Sequence, residues 1–311
     1  MPPAVTVVIL SYNGTADTLA CLDSLRQDPD RSFDLLVVDN ASTDGAPAAI
    51  RVQYPDVPLI ELPENLGWAG GNNVGIEYAL KHGAEQICLL NNDTIIPPGA
   101  IMTLATAASR YTPCLMHPAI DYADAAEGPQ LDPTRSVPPN GCTPIGQDAV
   151  LFELDFAYGA CLMVPADVFR RIGTFDERFF LQLEETDFWL RARRTGVRSL
   201  CTMEARIVHA ESRSFGGRTT PMKAYYMVRN TLLLTEKHHL SPTGVFRALR
   251  SLYWSVSNFA HKADDGQTAI PLVSWPRSRN PFIMAARAGF RDYLLRRFGR
   301  IAPVVLRSFS R

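Results

Sequence analysis

The chain has 311 residues, of which 46% are hydrophobic and 20% charged, the make-up of a folded rather than a disordered protein. Its 20 glycines and 23 prolines follow no period, which excludes collagen-like and repeat architectures, and no apolar run approaches the roughly 20 residues that span a bilayer. The net charge of −1 conceals a segregation: residues 241–311 hold 12 Lys+Arg against 3 Asp+Glu, a local +9, so the first 240 residues carry −10. An acidic body with a basic tail implies that the tail meets something anionic, whether the protein's own body or another surface.

The N-terminal residues through Leu10 lack a basic flank and a small-residue cleavage site, so they read as a strand and not as a signal peptide. Val5–Leu10 is a β-branched run suited to burial on both faces, and it stops at the turn Ser11-Tyr-Asn-Gly14. A helix follows, with Leu19, Leu22 and Leu25 at helical spacing. The second buried run, Phe33–Val38, ends in Asp39-Asn-Ala-Ser-Thr-Asp-Gly45. Another helix and a short strand at Leu59-Ile60 lead to the glycine-rich stretch Glu64–Gly75, a helix through Ile76–Leu80, and the strand Gln86–Leu90, which ends in Asn91-Asn-Asp93. Strands alternating with helices imply a mainly parallel sheet with right-handed crossovers.

Residues 111–148 are rich in Pro and Gly with little periodicity and read as a long surface loop. Phe156–Val164 reads as a strand, Phe175–Phe180 as an aromatic turn, and Glu184–Arg194 as a helix with three acids in its first turn. From Tyr225 the chain looks helical to its end, interrupted at Asp264-Asp-Gly266 and between Pro271 and Pro281. The six cysteines are far apart with no Cys-x-x-Cys pair, as expected of reduced, mostly buried thiols in a cytosolic protein.

In sheets of this kind ligands bind beyond the carboxyl ends of the strands, where three polar clusters fall: Tyr12-Asn13, Asp39–Asp44 and Asn91–Asp93. Turns alone also favour Asn, Asp and Gly; three such clusters on one edge favour a site. Asp39 can accept from a pyrimidine imide N–H, and Asp44 with its neighbouring amides can bond ribose hydroxyls. Asp93, at a strand end beside a diphosphate, is a good ligand for Mg²⁺ or Mn²⁺, which take oxygen donors and borrow some from substrate phosphate. His209, after the predicted strand Ala205–Val208, is either structural or completes that metal or phosphate site. Glu184 and Asp187 share a helix face and Glu185 points elsewhere; a carboxylate there can take a proton from an attacking hydroxyl.

These residues resemble glycosyltransferase family 2, the inverting GT-A-fold enzymes, and within it the bacterial rhamnosyltransferase-like branch. The resemblance rests on Val8–Gly14, Val37–Gly45, Glu64–Gly75, Leu89–Thr94, Tyr158–Met163, Phe175–Phe180, Glu184–Asp187, His209 with Ser214, and Tyr226 through Arg229-Asn230, in family order over residues 4–235. It implies an α/β GT-A fold, a Rossmann-like sheet flanked by helices, over residues 1–235. The nucleotide-binding half would occupy about 1–110 and the acceptor half about 150–235, with a basic helical region at 236–311. It further implies that Asp39 binds the base, that Tyr12 and Asp44 seat the nucleoside, and that Asn72 lies near the nucleotide. Asn91-Asn92-Asp93 takes the place of the family's Asp-x-Asp motif, with Asn91 where the first acid usually stands and Asp93 as the remaining metal ligand. Glu185 falls where the family has its catalytic Asp, Asp187 is the second candidate base, and His209 approaches the metal and diphosphate.

The activity implied is inverting transfer of a sugar from dTDP-rhamnose or a UDP-sugar to a hydroxyl of a saccharide or polyprenyl-diphosphate-linked acceptor in cell-surface polysaccharide synthesis. Two rivals are a sugar-nucleotide nucleotidylyltransferase, which would need a Gly-rich N-terminal loop with an activating Lys or Arg, and a catalytically silent scaffold. In the tail, Val245, Leu249, Leu252, Val256 and Phe259 form one helical stripe, with Arg247, Arg250 and Trp254 on another side. Such a helix either faces a core or lies in an anionic membrane surface at the cytosolic leaflet. The basic residues carry no nucleic-acid-binding signature.

Overall fold

The computed structural model describes residues 4–124, 126, 128–134, 142–146, 150–210, 220–239, 241–263 and 272–309. The chain divides into two units, residues 1–175 with 185–214, and residues 176–184 with 215–311.

In the first unit Val5–Ser11 (β1) is buried along its whole length, and its two faces show why. Val5, Val7 and Ile9 share a core with Cys21, Leu22 and Leu25 of Thr15–Arg26 (α1) and Ile50 of Ala46–Gln53 (α2). Val8 and Leu10 point the other way, onto Gly67–Lys81 (α3). That helix comes so close that a Cβ on Gly75 would stand 2.2 Å from Val8 Cγ1, and one on Gly71 2.4 Å from Leu10 Cδ1. A strand covered by helices on both sides has no solvent face, so its sequence is a plain apolar run.

The sheet begins as four parallel strands in the order Leu59–Glu61 (β3), Phe33–Asp39 (β2), β1 and Gln86–Asn91 (β4). Cys161–Pro165 (β10) joins antiparallel to β4 and leads to Cys114–Tyr122 (β6), Arg198–His209 (β11), Leu151–Leu154 (β9) and Cys142–Pro144 (β8). Two short strands, Thr94–Ile95 (β5) and Pro129–Leu131 (β7), pair with β11 and β6. Ala100–Arg110 (α4), Ala166–Ile172 (α5) and Glu184–Arg193 (α6) complete the helices up to β11. The sheet is therefore α/β and helix-flanked as expected, parallel in its first half and mixed in its second.

Three expectations change. Residues 111–148 hold a nine-residue strand, β6, not one irregular loop. Its first seven residues are buried, so it shows no alternation, and it contains Pro118, which lacks an amide hydrogen for the ladder. β11 accommodates that gap: its register with β6 jumps between Thr202, opposite Pro118, and Arg206, opposite Ala119. The helix expected through Ile76–Leu80 starts at Gly67, because the glycines of this stretch serve close helix–strand contact, not a loop. The strand expected over Phe156–Val164 covers only Cys161–Pro165. All six cysteines are free, and five of them are buried.

The second unit is helical: Pro221–Lys237 (α7), Pro242–Ala263 (α8), the 3-10 turn Leu272–Arg277, Pro281–Leu294 (α9) and Pro303–Arg307 (α10). α7 and α9 touch backbone to backbone, since a Cβ on Gly289 would lie 2.4 Å from the Tyr225 carbonyl oxygen, and Tyr225 donates to Asp292 at 2.9 Å. The boundary read near residue 235 thus falls inside α7, a helix whose partner is C-terminal to it. On α8 the apolar stripe is divided: Leu252 and Val256 are buried, whereas Leu249, Phe246 and Trp254 are exposed. The Phe259 side chain, the interruption at 264–266 and Ser214 lie outside the described residues. Among the described residues no helix is long and apolar enough to cross a membrane.

Candidate active site

β1, β2 and β4 end level with one another, for Ser11 pairs with Asp39 and Leu10 with Asn91. The loops that follow β1 and β2 are laced together. Ser42 Oγ accepts from the Asn13 amide at 3.0 Å, and Asn13 Oδ1 from the Thr43 amide at 2.8 Å. Asp44 Oδ2 accepts from the amides of Gly14 at 2.7 Å and Thr15 at 2.9 Å, which cap α1. Desolvation works against the charge of Asp44, yet hydrogen bonds from Thr15, Ala46 and Gly14 hold its carboxyl below the usual carboxylate range. Asp44 is thus committed to the loops, while Tyr12, partly exposed, is carried between them.

Asp39 is different. It is 1% exposed; Oδ2 accepts from the Ser42 amide at 2.9 Å, and Oδ1 is buried with no hydrogen-bond partner among the described residues. An unmatched carboxylate oxygen is costly unless a donor arrives, and a ligand N–H would supply one. The next residue, Asn40, accepts from the Leu66 amide at 2.8 Å and donates to the Gly67 carbonyl at 3.0 Å, which fixes the start of α3. Asn72, on the first turns of that helix, donates to the Trp68 carbonyl and keeps a buried Oδ1 with no partner among the described residues.

At the end of β4 successive side chains diverge, as strand geometry requires. Asn92 donates to Thr18 of α1 at 2.9 Å and so faces that helix. Asn91 accepts from Trp68 Nε1 at 2.9 Å and its amide nitrogen stands 3.5 Å from His209 Nε2. Pairing of β5 with β11 sets His209 opposite Thr94, which brings its Nε2 to 3.1 Å from Asp93 Oδ1. His209 Nδ1 donates to Gln130 Oε1 at 2.8 Å, which turns Nε2 toward the Asp93 carboxylate. An imidazole nitrogen and a carboxylate turned toward each other, with the far ring nitrogen tied by an amide oxygen, are ligand types that fit a divalent cation. Among the described residues no group of three His, Cys, Asp or Glu surrounds one point, so the remaining ligands would come from phosphate oxygens.

Glu185 and Asp187 have separated fates. Asp187 is fully enclosed and accepts from Arg191 Nε at 3.0 Å, while Arg191 also donates to the carbonyls of Ile172 and Thr174 at 2.6 Å each. That group pins α6 to the end of α5, and Asp187, the second candidate base, is enclosed within it. Glu185 is only partly buried, and desolvation pushes its carboxyl up to about 7. One turn on, Phe188 packs on Phe175 with ring centres 4.9 Å apart, and Phe175 on Trp68 at 5.0 Å. Since Trp68 bonds Asn91, an unbroken run of contacts links α6 to the strand end that carries Asp93.

Gln130, Asn40 and Trp68 were not singled out as functional from the sequence. Gln130 sits on β7 inside the stretch read as a loop, and a partly exposed ion-pair group beside it, Arg206 with Asp121 and Asp132 at 2.8 Å each, ties the end of that strand to β6 and β11. Trp68 and Asn40 lie within quoted motifs, but their partners are remote in sequence.

A family model described as Glycosyl transferase family 2 matches residues 6–173, more than half of the chain. The low-salt glycan biosynthesis hexosyltransferase Agl10 of Haloferax volcanii is 30% identical over 202 residues, spanning 62% of this chain and 62% of that protein, less than two thirds of its length. The N-acetylglucosaminyl-diphospho-decaprenol L-rhamnosyltransferase of Mycobacterium tuberculosis is 27% identical over 264 residues, 76% of this chain and 86% of that one. The mannosyltransferase PcManGT from Pyrobaculum calidifontis, solved in complex with GDP-Man and Mn²⁺, superposes with a TM-score of 0.56 at 16% identity over 94% of this chain and 88% of its own, a likeness of fold. With that match laid over the strand ends just described, the chain belongs to glycosyltransferase family 2, has the GT-A fold, and is similar to rhamnosyltransferases within the family.

Proposed function

We propose that the protein transfers a sugar, with inversion, from a nucleoside diphosphate sugar to a hydroxyl of a saccharide or polyprenyl-diphosphate-linked acceptor in surface polysaccharide synthesis. dTDP-rhamnose is the first donor to test and a UDP-hexose the second; the L-rhamnosyltransferase similarity supports that order. The observation that carries the reading is the Asp93–His209 pair at 3.1 Å, set by Gln130, on the edge where Asp39 keeps an unmatched oxygen.

In this reading Asp39 Oδ1 accepts the imide N–H of a pyrimidine base, with Tyr12 and Asn72 beside the nucleoside. Asp93 and His209 hold Mg²⁺ or Mn²⁺, which when bound neutralises charge on the departing diphosphate. Glu185 takes the proton of the acceptor hydroxyl; the oxygen bonds to the anomeric carbon from the side opposite the diphosphate, whose C–O bond breaks. A carboxyl raised to about 7 suits that task, since a general base works best with a pKa near the operating pH. Binding and turnover of dTDP-rhamnose with Mg²⁺ or Mn²⁺ test the assignment: binding without turnover in the presence of acceptor would mark a silent scaffold, and release of pyrophosphate from a nucleoside triphosphate would mark a nucleotidylyltransferase.

The partner of the second unit in this reading is an anionic membrane leaflet on the cytosolic side. An open groove of about 1120 Å³ in that unit is lined by Leu249, Leu252, Phe290 and Val304 together with Arg287 and Arg291. The exposed Phe246 and Trp254 lie on the same helix as Leu249, and Arg247 and Arg250 accompany them. Apolar side chains ringed by arginines complement phosphate-headed lipids. Co-sedimentation with phosphatidylglycerol vesicles but not with phosphatidylcholine vesicles is the expected result, and equal or absent binding to both would remove this part.

A further inference from the structure

The loop between Phe175 and α6 ends at Leu183, two residues before Glu185, and three of its residues hold an unusual backbone. Phe180, Gln182 and Leu183 have φ of 63°, 70° and 70°, the left-handed region that side chains with a Cβ rarely adopt. Such conformations persist only where surrounding groups over-determine them, and they cluster at working sites. Here the surroundings are two neighbouring, fully buried residues of α7, Arg229 and Asn230. Asn230 Nδ2 donates to the carbonyls of Phe179, Leu181 and Gln182, each at 2.8 Å. Arg229 donates to the carbonyls of Arg178 and Phe179 at 2.9 Å and to that of Gly299 at 2.6 Å, and its Nε to Asn230 Oδ1 at 3.0 Å. The guanidinium lies over the Tyr226 ring at 4.8 Å, and that ring stacks on Phe180 at 5.4 Å.

This is more than packing requires. A buried guanidinium would ordinarily meet a carboxylate, and a buried loop would ordinarily turn with glycines; this one has neither Gly nor Pro between 176 and 184. We propose that Arg229 and Asn230 are positioning residues, holding the 178–183 main chain in its strained path up to Glu184, the residue that precedes Glu185. The inference rests on the reading of Glu185 as the base. Six bonds converge, five on four carbonyls of this loop and one on the Gly299 carbonyl, so loss of one donor set loosens the loop.

Asn230→Ala and Asn230→Ser are the test, with Glu185→Gln run beside them on the full chain. Hydrogen–deuterium exchange over residues 178–185 reads the clamp itself, independently of catalysis. Steady-state turnover of dTDP-rhamnose reads its consequence. The expected result for Asn230→Ala is faster exchange in the loop, kcat lowered at least tenfold, donor KM within twofold, and a shifted pH midpoint of kcat; Asn230→Ser, which keeps a hydroxyl donor, falls between it and the parent. Unchanged exchange overturns the clamp. Faster exchange with unchanged kcat overturns its role, as does a kcat loss matching only the fall in folded fraction. If Glu185→Gln alone keeps full turnover, the base assignment fails instead, and the exchange data still report on the loop.

Discussion

Glu185→Gln tests stability and catalysis with one change. Desolvation raises the Glu185 carboxyl from 4.5 to about 7, so the folded protein disfavours its charged form by about 3 kcal/mol. The side chain is partly exposed, and solvent screening brings the usable figure to about 1–2 kcal/mol. Between pH 4.5 and about 7 the folded protein keeps a proton that the unfolded chain has released, so this residue's contribution to stability falls as pH rises through that window and reaches its full penalty above 7. Glutamine is never charged and escapes the penalty. The variant is therefore expected to melt about 2–6 °C above the parent at pH 8 and level with it at pH 4.5, read by thermal denaturation. It should also lose about 10²–10⁴-fold in kcat, the range for removing a general base, while binding donor normally. The parent's kcat should rise through about pH 7 as the carboxylate forms. A variant that gains nothing at pH 8, or that turns over within a few-fold of the parent, refutes the desolvated-base argument.

Asp39→Asn should weaken dTDP binding about 10–100-fold by calorimetry, the worth of a charge-assisted hydrogen bond from the imide, with little change in the fold. Gln130→Leu frees the His209 ring and should lower Mn²⁺ affinity in the presence of dTDP about 10–100-fold, measured by titration of the metal. Gly289→Ala forces a Cβ onto the Tyr225 carbonyl and should cost about 1–3 kcal/mol, seen as an earlier melting transition.

The parallel half of the sheet was legible because buried strands such as Val5–Ser11 announce themselves as apolar runs broken by polar turns, and those turns carry the ligand-facing edge. β6 was not legible: burial on both faces erased its alternation and Pro118 argued against a strand, while the compensating jump lies on β11, some 85 residues away. α3 was half legible, because Gly70, Gly71 and Gly75 look like a loop until the closeness of Val8 and Leu10 is known. The site shows the same division. Asp39, Asp93, Glu185 and His209 become candidates from chemistry at strand ends and a helix start, whereas Gln130, on a three-residue strand, comes into view only through a contact 79 positions away.

What the sequence could not do was rank carboxylates of the same type in the same motif, and hydrogen-bond saturation does. Asp44 and Asp187 were read as a ribose ligand and a base. The first accepts from three main-chain amides and the second from an arginine that also ties down two carbonyls, so each is filled by the fold it supports. Among the described residues Asp39 keeps a buried oxygen with no donor, whereas Asp93 pairs with His209 Nε2 at 3.1 Å. Folding alone does not select unmet acceptors, because each is destabilising until something arrives to meet it. The unmet oxygen at the end of β2, close to the saturated Asp44, is therefore the physical ground for proposing the donor there. Hydrogen bonding also explains why Asn can stand at position 91. That residue bridges Trp68 and His209, a task that calls for both a donor and an acceptor, which an aspartate carboxylate does not have.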